Sequence, residues 1–127
     1  YGDRRMNGTL KMEFALRNEL MTTVRLATGG VCSVAGLSLD DGEDCKVCVT
    51  ESLLLLKHRG YTSAGIVFSC EDGLSVAIEG KEGNGERSAA AEDEISAALL
   101  SALAENVIME KREGELAAIS FRFGKRA

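Results

Sequence analysis

The sequence predicts an α+β domain: a two-layer α/β sandwich whose mixed, mostly antiparallel sheet of about five strands carries three helices on one face. Three observations predict it. Apolar and polar residues alternate over 9–16, 74–79 and 115–123, the period of a strand with one face on a core. Short links at Glu71-Asp72-Gly73 and Glu113-Gly114 join neighbouring strand-like runs, as in antiparallel hairpins. The order strand, helix, helix, strand, strand, helix, strand, strand lacks the regular strand-helix alternation of a doubly wound parallel sheet.

Each element has its own signal. In TLKMEFAL, residues 9–16, Leu10, Met12, Phe14 and Leu16 share one face of a strand. Asn18 reads as the N-cap of a helix carrying Leu20, Met21, Val24, Leu26 and Ala27. Val31, Val34 and Ala35 keep the spacing across Gly29-Gly30, so the helix is expected to continue to Val34, with a kink or break at the Gly pair as the alternative, and Gly36 ends it. A second helix runs from about Leu39 to Arg59. Residues 62–70 and 74–79 form a hairpin, and 80–93 (GKEGNGERSAAAED) read as a long mobile loop. A third helix starts at Glu92 with Ile95, Leu99, Leu100, Leu103 and Val107 on its apolar face. Strands 107–112 and 115–123 close the chain, with Ala117, Ile119, Phe121 and Phe123 on the core side.

The chain has 127 residues, of which 45% are apolar, enough for one folded domain with its own core. Met6 reads as a start, so the domain is taken as 6–127 and residues 1–5 as upstream. The net charge of -5, with acids gathered in 40–51, 71–72 and 79–94, argues against nucleic acid as a partner, because phosphate binding needs a basic surface. No apolar run reaches the roughly 20 residues that span a bilayer. A cytoplasmic protein with no membrane association is the expectation.

The stretch 40–61 (DDGEDCKVCVTESLLLLKHRGY) is the most informative. Acids at its start and Lys57, His58 and Arg59 at its end complement the helix dipole, and Gly60 suits a left-handed cap. Cys45 and Cys48 have CxxC spacing, but both fall inside the helix, and no second ligand pair accompanies them. Cys32, Cys45, Cys48 and Cys70 therefore read as reduced, largely core thiols, and no metal site is expected.

This helix resembles the signature helix of bacterial anti-sigma factor serine kinases, in the histidine-kinase-type ATPase superfamily. Glu43, Asp44, Lys46, Glu51, Gly60 and Tyr61 fall at matching spacings, and the order of elements over 8–124 agrees with that fold. The resemblance implies that Glu51 stands where the family's base activates the acceptor serine of a partner protein. One turn later the family has an Asn that binds the magnesium of Mg-ATP; here that residue is Leu55, which offers no oxygen to a hard cation. The family's histidine near the helix end aligns with Arg59, one residue past His58.

Where the family has an Asp and glycines that receive the nucleotide, this chain has Glu79-Gly80-Lys81-Glu82-Gly83-Asn84-Gly85. Glu79 or Glu82 stands in for the Asp, and Gly83 and Gly85 are the candidate nucleotide-binding glycines. The phosphate-closing segment before the third helix is replaced by Ser88-Ala89-Ala90-Ala91. The resemblance thus implies a regulatory protein-binding module whose partner is a sigma factor or an anti-sigma antagonist protein. It also implies a homodimer. ATP and magnesium are not expected as cofactors, and the leucine run 53–56 is expected to fill the space of a nucleotide. The alternative is an ATP-dependent serine kinase of an antagonist protein with an atypical site.

Overall fold

The computed structural model describes residues 9–88 and 91–124. The elements follow the order β1 (Thr9–Ala15), α1 (Asn18–Val34), α2 (Leu39–His58), β2 (Ser63–Ser69), β3 (Leu74–Glu82), α3 (Glu92–Leu103), β4 (Glu105–Arg112) and β5 (Glu115–Phe123). The expectation for residues 1–5 and part of the Ser88 to Ala91 segment lie outside the described residues.

The five strands form one sheet in the order β1-β2-β3-β5-β4. Every neighbouring pair is antiparallel, so the sheet is not mixed as expected. The reason lies in the connections: β2–β3 and β4–β5 are hairpins, and the α3 crossover returns the chain to the far edge, so that β5 runs back between β4 and β3. The β4–β5 turn places both Glu113 (φ 54°) and Gly114 (φ 80°) in the left-handed region, the two-residue geometry that matches strand twist.

Strand alternation builds the core. Ile66 and Phe68 of β2, Leu74, Val76 and Ile78 of β3, and Ile119, Phe121 and Phe123 of β5 are all buried on one face. Against them lie Val49, Leu53 and Leu56 of α2, with Val24 and Val31 of α1 and Leu100 of α3 in the same cluster. The alternate side chains, Ala77 and Glu79 among them, point to the other face.

Several local expectations are corrected. Helix α1 starts at Asn18, and Arg17 occupies the extended N-cap position without a side-chain cap; the Asn18 amide oxygen accepts instead from Lys57 Nζ at 3.3 Å. The helix continues through Gly29-Gly30 to Val34 without a break, as the spacing of Val31 and Val34 predicts. Its buried stripe is Val24, Thr28, Val31 and Cys32, whereas Leu26 is 73% exposed. Helix α2 is capped by Ser38, whose Oγ accepts from the Asp41 amide at 3.1 Å, a stronger stop than acids alone supply. Strand β3 runs three residues into the expected loop, through Glu82. In α3 the buried pair is Ser96 and Leu100, and Ile95 is 61% exposed.

Candidate functional site

The candidate site is the side of α2 that meets α3. Its geometry follows from the helix period: Ser52, Leu55 and Leu56 fall on buried positions, and Glu51 is half-buried at their margin. Glu51 Oε1 accepts a hydrogen bond from Ser96 Oγ of α3 at 2.5 Å. Ser96 itself is buried, so α3 covers the carboxylate from one side. Leu55, one turn on, is 3% exposed and belongs to the core cluster. A hollow of about 570 Å³ lies on the opposite face of the sheet and touches neither Glu51 nor Leu55.

The C-terminal end of α2 is held by a second cluster. Asp93, in the first turn of α3, accepts from His58 Nδ1 at 2.7 Å and from Arg59 Nη1 at 2.6 Å. Burial works to raise the Asp93 pKa, but the hydrogen bonds from His58 and Arg59 and the charge on Arg59 outweigh it, so the carboxyl sits below its ordinary value. The segment after β3 ties itself to the same helix end. The Gly85 amide donates to the Gly60 carbonyl at 2.7 Å and the Ser88 amide to the His58 carbonyl at 2.9 Å. These bonds satisfy carbonyls that a helix terminus leaves without intrahelical partners.

The expected nucleotide residues are placed as follows. Glu79 lies on the open face of the sheet, where Arg112 Nη1 reaches it at 3.0 Å across β5 and Lys81 Nζ at 3.4 Å. The Arg112 hydrogen bond outweighs a small burial effect and lowers its pKa. Glu79 and Glu51 are therefore on opposite sides of the sheet and cannot share a ligand. The alternation Leu74, Val76, Ile78 already carried that signal, since an odd position follows three inward even ones. Glu82 ends β3 with its side chain exposed.

The glycines serve packing. A Cβ on Gly80 would fall 2.4 Å from the Tyr61 ring, and one on Gly85 would fall 2.9 Å from the Gly60 carbonyl. Gly83 lies under the same ring, with a Cβ meeting it at ordinary contact distance, 3.7 Å. Tyr61 in turn donates its hydroxyl to the Leu116 carbonyl at 3.1 Å. The glycine-rich stretch thus closes against Gly60-Tyr61. The residues at these positions do not fit a magnesium-bound nucleotide: Leu55 has no ligand oxygen, Ser96 occupies Glu51, and the Gly85 amide is engaged by Gly60.

Hydrogen bonding between Cys32 and Cys45 holds the Cys32 thiol below its ordinary value and, with burial, pushes the Cys45 thiol up; burial pushes Cys48 up to about 12 and Cys70 up as well. Among the described residues, no group of three or more His, Cys, Asp or Glu side chains is disposed to hold a metal ion. Nor is any described helix long and apolar enough to cross a membrane.

Sequence reasoning missed Ser96 and Asp93. The acidic first turn of α3 hid Asp93 among dipole-favouring residues, and Ser96 sat beside an apolar stripe that pointed to Ile95. No protein-family model and no curated protein matches this chain in sequence.

Proposed function

We propose that this chain is a regulatory protein-binding module of the anti-sigma-factor type, with the histidine-kinase-type ATPase fold, acting in the bacterial cytoplasm without ATP binding or kinase activity. Its partner on this reading is a sigma factor or an antagonist protein. The observation that carries it is the buried Leu55, one turn after Glu51, where the resembling family needs a magnesium ligand. The glycines that would admit a nucleotide are committed to Gly60 and Tyr61, which supports the same reading.

The test is complex formation without nucleotide. Purified chain mixed with the sigma factors and antagonist proteins of its host is expected to co-elute with one of them in nucleotide-free buffer. Failure of every candidate to co-elute contradicts the proposal.

Glu51 favours a second reading, an ATP-dependent serine kinase of an antagonist protein. Its half-buried carboxylate stands at the position of the family's base, and its second oxygen has no hydrogen-bond partner among the described residues. Transfer of labelled γ-phosphate to a serine of the co-eluting protein, lost in Glu51→Gln, would establish that reading over the first.

A further inference from the structure

Helices α1 and α2 approach each other closely where α1 ends and α2 begins. A Cβ added to Gly42 of α2 would lie 3.8 Å from the Cys32 Cβ of α1, a separation within the range that Cβ atoms span across a disulfide. Gly42 has no side chain to hold the helices apart, and Cys45 follows it by three residues, on the same face of α2. The consequence is direct contact between two thiols on different helices: Cys45 donates a hydrogen bond to the Cys32 sulfur.

The two sulfurs are not equivalent. The bond from Cys45 holds the Cys32 thiol below its ordinary value, and the charge on Lys46 adds to that against the opposing effect of burial. Cys32 also keeps 4% of its surface exposed, whereas Cys45 and Cys48 keep none. Cys32 is therefore both the more readily ionised partner and the one a small oxidant reaches first. Cys48 differs from the pair, since burial and the charges of Asp44 and Glu51 alone account for its shift.

We propose that Cys32 and Cys45 are a redox-modification site, a dithiol that a hydroperoxide converts to a disulfide joining α1 to α2. The Cys32 thiolate attacks one peroxide oxygen, the O–O bond breaks, and the departing oxygen takes up a proton and leaves as an alcohol, or as water from hydrogen peroxide. Cys32 is then a sulfenic acid. The Cys45 sulfur attacks the Cys32 sulfur, the S–O bond breaks, and hydroxide leaves as water with the Cys45 proton. Two thiols lose two electrons and two protons in all, and the peroxide is reduced by two electrons. The disulfide closes the loop 32–45 and fixes the end of α1 to the start of α2, which carries Glu51 and Leu55 further along. It requires neither a protein partner nor a nucleotide.

The test is a peptide map of the folded chain after a few equivalents of hydrogen peroxide, with free thiols alkylated in denaturant before trypsin. Cys32 and Cys45 fall together in peptide 26–46, Cys48 in 47–57 and Cys70 in 60–81. The expected result is peptide 26–46 unalkylated and lighter by two hydrogen atoms, restored by dithiothreitol, with Cys48 and Cys70 alkylated. In Cys45→Ala, a dimedone probe is expected to label the sulfenic acid on Cys32. Where that variant does not fold, the wild-type map decides alone. Four alkylated cysteines after peroxide treatment overturn the proposal. So does a disulfide that links peptide 26–46 to 47–57 or to 60–81, which would pair Cys48 or Cys70 instead.

Discussion

Glu51 and Leu55 stand one helical turn apart, and their surroundings give them different roles. The Glu51 carboxylate is held by a buried serine hydroxyl, while Leu55 fills space in the core. Replacing Leu55 with asparagine places an amide in the core cluster and also removes apolar volume. We expect Leu55→Asn to lower the unfolding free energy by about 2–4 kcal/mol, read as a shift in urea midpoint, without creating nucleotide binding. A neutral effect on stability would place Leu55 at the edge of a polar cleft instead. Asp93 gives a second prediction. Its folded pKa lies below the ordinary value of 3.8, so its contribution is present above that value and is lost as pH falls through the folded pKa. Asp93→Asn is expected to cost about 1 kcal/mol at neutral pH, because the hydrogen bonds are charge-assisted but His58 and Arg59 are partly exposed and screened. Denaturation series should show that difference shrinking below the ordinary carboxylate range. A difference that grows on acidification would contradict the assignment.

At the scale of elements, the end of α2 and the stretch after β3 form one seam. Gly85 is its least yielding point, since a Cβ there would meet backbone of Gly60 that cannot swing aside. Gly85→Ala is expected to lower stability by about 1–3 kcal/mol through that crowding, measured by chemical denaturation, and an unchanged midpoint would mean that the seam is loose. Helix α2 was legible in the sequence because dipole charges, a terminal glycine and an apolar run all agreed on its bounds. The seam was not legible. Gly80 reads as a loop residue until the Tyr61 ring is seen to occupy the space its side chain would take, and that contact joins residues 19 positions apart. The buried face of α3 was obscured for a related reason: Ser96 is polar, and only its bond to Glu51 on another helix makes its burial tolerable. The alternation in β3 did tell which way Glu79 points, onto the face away from Glu51.

At the scale of the whole molecule, three helices cover one side of an antiparallel sheet, and the two sides carry different properties. The covered side holds the core and the Glu51 to Leu55 face of α2, sealed by α3. The open side is shallow and apolar at its centre. The fold class was readable from alternation and hairpin links, whereas the fully antiparallel pairing depended on where the α3 crossover delivers β4, which no local pattern records. Of the candidate site, Glu51 and Leu55 were singled out by the resemblance of α2 to the family's signature helix, while their covering by Ser96 and the clasp of Asp93 by His58 and Arg59 required the third helix in place. The central claim is that the α2–α3 face does not accept Mg-ATP. Isothermal titration calorimetry of the folded chain with Mg-ADP tests it most directly. The account predicts no saturable heat; binding in the micromolar range, about -8 kcal/mol, would contradict it.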